Sequence, residues 1–109
     1  MAYAYKVLGQ SAPSATTNTD VYTVGSGKQA IVSTITVANR SASAKTYRIA
    51  IRPAGATIAN QHYLAYDIAI AANDTTALTL GITLTATDVV TVYASTANLA
   101  FGIFGSEIS

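Results

Sequence analysis

The feature that most limits what this chain can fold into is an alternation of side chains with a period of two, repeated along most of its length. Ile31, Ser33, Ile35 and Val37 alternate with Val32, Thr34, Thr36 and Ala38. The same pattern runs through Tyr47–Ile49–Ile51, Leu64–Tyr66–Ile68–Ile70, Leu78–Leu80–Ile82–Leu84 and Val90–Val92–Ala94, and ends with Leu99–Phe101–Ile103. A strand turns successive side chains to opposite faces, whereas a helix repeats every 3.6 residues, so this pattern describes strands. Val, Ile, Thr and Tyr also suit a pleated, half-buried surface.

Turn chemistry separates the runs. GSGK (25–28), NRSASA (39–44), RPAG (52–55), AAND (71–74), TATD (85–88) and STAN (95–98) all supply turn residues. Pro53 ends a strand because it has no N–H to give to a ladder. Strands at this spacing predict an all-β fold, an antiparallel β-sandwich (jelly-roll-like or barrel-like) of about eight strands. At most one short helical turn is expected, in the alanine-rich stretch 56–62. The length of 109 residues fits a single domain. Residues 1–20 read as an extended arm plus a first strand, with a polar loop from residue 12 onward.

Composition narrows the function. Charged residues are 10% of the chain, and 21 alanines and 16 threonines stand where a free monomer carries Lys and Glu. The surface is therefore Thr, Ser, Asn and Ala, or it is covered by partners. A net charge of +1 gives no electrostatic reason to expect nucleic acid or an anionic membrane as a partner. With no cysteine, disulfides, thiolate metal sites and a cysteine nucleophile are excluded. MAYAYKVLGQSAP lacks the basic and apolar regions of a signal peptide. Residues 89–106 are uncharged but interrupted by Thr, Ser, Asn and Gly, which fits a buried strand pair better than a membrane span.

The stretch IRPAGATIANQHYLAYD (51–67) most resembles an active-site loop, and it holds the one histidine, His62. In a regular strand His62 and Asp67 have opposite parity and face opposite ways, so they cannot form a base and its orienting acid. No G-x-S-x-G elbow is present, no acid stands at a metal-ligand spacing from His62, and GSG at 25–27 is too short to cradle a phosphate. Asp74 and Asp88 read as turn residues whose side chains satisfy turn backbone. No catalytic, cofactor-binding or metal-binding residue is assigned, no cofactor is expected, and the chain is not expected to be an enzyme.

What remains is a contact surface. Arg48 and Arg52 share the even face of their strand, and Tyr63 and Tyr93 oppose their strands' apolar faces. Asn60, Gln61 and His62 sit at the start of a strand beside a loop. These seven residues are the candidate surface. Tyrosines on a charge-poor surface suit subunit contacts, and they also suit a platform for host glycans.

Several segments resemble a known family. VYTVGSGKQAIVSTITVANR, TYRIAIRPAGA, NQHYLAYD, ANDTTALTLGITL, DVVTVYAS and FGSEIS, spread over about residues 7–107, are similar to small virion structural proteins of tailed bacteriophages. Such proteins often have a proline in the turn after Y-T-V, where this chain has Gly25. The resemblance implies a structural role on the outer surface of a phage particle, made in the bacterial host cytoplasm. The first expectation is a capsid cement or decoration protein contacting its own copies and the major capsid protein, as a homo-oligomer with a trimer preferred. The alternative is a tail, baseplate or fibre-attachment protein.

Overall fold

The alternating runs become strands in a computed structural model that describes residues 3–109. The strands are β1 (Tyr3–Ser11), β2 (Thr19–Thr23), β3 (Gln29–Asn39), β4 (Lys45–Arg52), β5 (Tyr63–Ile70), β6 (Thr75–Thr85), β7 (Val89–Ala94) and β8 (Leu99–Ile108). Residues 1–20, expected as an extended arm plus a first strand, hold β1, a loop and the first two residues of β2, and positions 1 and 2 lie outside the described residues. Two short 3₁₀ turns, Pro53–Gly55 and Asn60–His62, occupy the β4–β5 connection where one turn was expected. The second begins only after Gly55 and the extended residues that follow, because Ala54 and Gly55 both take positive φ and break any continuous helix.

The pairing is nested. Counted from the two ends, β1 pairs with β8, β2 with β7, β3 with β6 and β4 with β5, all antiparallel. The chain is thus one long two-stranded ribbon whose tip is the β4–β5 connection. Two further pairings, β3–β8 and β4–β7, roll the ribbon on itself. The result is two four-stranded sheets, β1-β8-β3-β6 and β2-β7-β4-β5. This order is the jelly roll, one of the architectures the alternation predicted.

The core lies between the sheets. Ile35, Val37 and Ile103 from one sheet meet Ile49, Val90 and Val92 from the other, all essentially inaccessible to solvent. Tyr47 and Phe101 cross the layer edge to face, with ring centroids 6.3 Å apart. β7, a central strand between β2 and β4, is buried at five of its six positions.

Simple parity fails at two strands. In β3 the inward residues are Ala30 and Val32, then Ile35 and Val37. The switch lies at Ser33, where two β3 residues span one step of β8 and three β6 residues span two of β3. Ile31 is therefore turned out of the core, not in with Ile35. Opposite the bulge, a Cβ at Gly105 would strike the Ile31 carbonyl, so the close approach of the two backbones requires glycine there. In β5 the register shifts twice, and Asp67 takes a positive φ of 51°. Leu64, Tyr66 and Ile68 consequently do not share a face in the way the alternation implied.

One polar residue ties this frame together. Asn39, at the end of β3, is 3% exposed. Its Nδ2 donates to the carbonyls of Ser43, Ala71 and Ile70, and its Oδ1 accepts from the Ser41 N–H and hydroxyl. It thereby joins the β3–β4 loop to the β5–β6 turn and leaves no buried polar atom of its own unsatisfied. Asn39→Ala strands several buried partners at once and is expected to cost about 3 kcal/mol, read as a lower urea midpoint with unchanged slope.

Candidate contact surfaces

On the outer face of the β2-β7-β4-β5 sheet, β4 and β7 set Arg48 opposite Tyr93. The Arg48 guanidinium lies 4.1 Å from the centre of the Tyr66 ring and 4.2 Å from that of Tyr93. Its Nε donates to Asp67 Oδ1 at 2.7 Å, and this hydrogen bond raises the Arg48 pKa further. The positive φ at Asp67 is what brings the carboxylate over β4, since the bulge turns a residue from the neighbouring strand toward the arginine. Tyr63 packs edge to face on Tyr66 at 4.8 Å. Arg48, Tyr63 and Tyr93 therefore do come together, joined by Asp67, which shares the parity of Tyr63, and by Tyr66, which parity places on the opposite face with Leu64 and Ile68. The ring faces of Tyr66 and Tyr93 nearest the arginine are taken up in this cluster.

Arg52 is held as firmly. It bonds Asp20 at 2.8 Å, the Thr91 hydroxyl at 3.0 Å, and the carbonyls of Gly55 and Ala56. It thus fixes the beginning of the β4–β5 connection to the sheet. Asn60 and Gln61 are exposed in the second 3₁₀ turn, and His62 closes that turn: its Nδ1 accepts the Ala59 N–H at 3.0 Å. His62 and Asp67 do not form a pair, but the reason differs from the expected one. His62 stands in a turn before the strand, and Asp67 is committed to Arg48.

The other carboxylates also have partners in the frame. Asp88 accepts the N–H groups of Ala54 and Thr85, and Asp74 accepts that of Thr75, as their reading as turn residues predicted. Glu107 points between the sheets. The Tyr22 hydroxyl donates to it at 2.7 Å, and Lys6 and Lys28 lie at 3.1 and 3.3 Å. The Tyr22 hydrogen bond does most to hold the Glu107 carboxyl down at about 2, Lys6 and Lys28 add to it, and partial burial opposes them. Burial, and then Glu107 itself, push the Tyr22 hydroxyl upward. Sequence separation hid this group, because Tyr22 and Glu107 are 85 residues apart.

The outer face of the β1-β8-β3-β6 sheet is different in kind. Lys6 and Glu107 are the only charged residues in its four strands, and both turn to the inner side and pair there. None of the described residues on the outer face is charged. Tyr5 (87% exposed), Val7 and Ile31 lie at one end, and small residues such as Ala38, Ala77 and Thr75 lie at the other. A second apolar feature opens along the edge where β5 and β6 face each other across the sandwich. It is a cleft of about 470 Å³ over Tyr47, walled by Leu64, Ile68, Leu80 and Ile82. Among the described residues, no three His, Asp or Glu side chains stand together in a way that could hold a metal ion.

No protein-family model, curated protein or solved structure matches the chain.

The Glu107 group predicts a pH dependence. The folded pKa lies below the unfolded value, so its contribution is complete above about pH 5 and is lost as pH falls toward 2. Glu107→Gln should lower stability at neutral pH by about 1–2 kcal/mol and flatten the acid limb of a midpoint-against-pH curve. An unchanged acid limb would show that Glu107 does not couple the sheets.

Proposed function

We propose that this chain is a non-enzymatic structural protein of a bacteriophage particle that works by protein–protein contact, with the capsid lattice and its own copies as partners. The observation that carries this reading is the charge-free outer face of the β1-β8-β3-β6 sheet. Exposed Tyr5, Val7 and Ile31 lie on this face with no charged neighbour, and a partner that covers them removes apolar surface from water without burying a charge. The carboxylates, meanwhile, are engaged in turns and ion pairs that hold the frame. Support for the phage setting comes from the resemblance of TYRIAIRPAGA, NQHYLAYD and the C-terminal segments. The jelly-roll order agrees by analogy, since capsid domains use it, as do lectins and cupins. In a lattice, modest contacts repeated over many copies add up to strong retention.

Particles from the phage that encodes this chain provide the test. The protein is expected in their mass spectra and as density on the head, at on the order of hundreds of copies. A copy number of about a dozen or fewer would move it to the tail. Its absence from washed particles would refute the reading.

A further inference from the structure

The uncharged sheet face also indicates its partner. We infer that the outer face of the β1-β8-β3-β6 sheet is a self-complementary interface on which two copies of this chain pack sheet to sheet about a two-fold axis. This deepens the contact-making role and rests on it, but it can be tested on the purified chain without any particle.

Three observations support a second copy as the occupant. The first is charge. A partner with Lys, Arg, Asp or Glu opposite this face would bury a charge with nothing to pair it, at a cost of several kcal/mol. The same face on another copy brings none. The second is area. Four strands about 4.8 Å apart and about ten residues long present on the order of 600 Å² of face. Two such faces together exceed the roughly 1,000 Å² that a specific interface needs.

The third is relief. Phe104 does not stand up from the face. Its ring lies over Gly102, where a Cβ would come within 2.7 Å of it, so the middle of the face is flat. Tyr5 and Ile31 are the large side chains at one end, in the registered row Tyr5–Ser106–Ile31–Thr83. Small ones occupy the other, in the row Ala100–Ala38–Thr75. A two-fold axis lying in the interface and running across the strands near Thr34 reverses the rows. It sets Ile31 of one copy over Thr36 and Ala38 of the other, and the reciprocal contact forms at the opposite end. That exchange is what an isologous interface requires, and aligned sheets pack about 10 Å apart in this way.

Light scattering and sedimentation of the purified chain test the inference. The expected mass is twice the 11.2 kDa of one chain. Ile31→Lys and, separately, Thr83→Lys should each weaken dimerisation at least about tenfold with circular dichroism unchanged. Both side chains are exposed, so the fold does not depend on them. Ala69→Lys, on the exposed edge strand of the other sheet, should remain dimeric. A wild-type monomer at about 100 µM, a trimer, or a dimer indifferent to both Ile31→Lys and Thr83→Lys would overturn the two-fold interface. None of these results would remove the chain from the particle, and its absence from particles would not dissolve a dimer, so the two proposals fail separately.

Discussion

Everything in this protein depends on backbone pairing between strands distant in sequence. Asn39 sits opposite Leu99, and Tyr3 opposite Ile108. Each pair encloses the next, so the register of the inner pairs constrains the outer ones. With one residue in three an alanine or threonine, side chains carry little information about which face is which. The ladder and its irregularities carry it instead. The Ser33 bulge turns Ile31 outward and Ile35 inward, and the bulge at Asp67 delivers a carboxylate to Arg48. A one-residue slip in either strand would exchange core and surface.

Charge follows from this frame. Eleven charged residues serve a surface that would ordinarily carry more than twice that share. Arg48, Arg52, Asp20 and Asp67 lie on one sheet, paired with one another. Lys6, Lys28 and Glu107 form a group at one end of the sandwich. Asp74 and Asp88 serve turns. These placements leave the opposite sheet face bare. The same economy explains why the seven candidate contact residues divide as they do. Arg48, Tyr63 and Tyr93 belong to one cluster, Arg52 and His62 brace the β4–β5 connection, and Asn60 and Gln61 are exposed beside it.

Much of the architecture was legible beforehand, and the parts that were not have a common cause. The strands from Gln29 onward, the six turns, the strand end at Pro53 and the turn roles of Asp74 and Asp88 are local, so local residues declare them. The Tyr22–Glu107 contact, the Asp20–Arg52 pair and the buried bonding of Asn39 join segments far apart or depend on burial. Asn39 looked like an ordinary turn residue because nothing in NRSASA shows that its side chain is enclosed.

By itself the sequence determined the class of fold, since a period of two leaves a chain of Val, Ile, Thr and Ala no other way to bury its apolar side chains. It also determined that charge would be scarce at any surface. The tertiary structure alone decided where the scarcity falls. Bulges reset parity, and nested pairing sorts the few ionised groups onto one sheet, between the two sheets and into the connections. The uncharged face exists because β1, β8, β3 and β6, separated along the chain, become neighbours only when the ribbon rolls up.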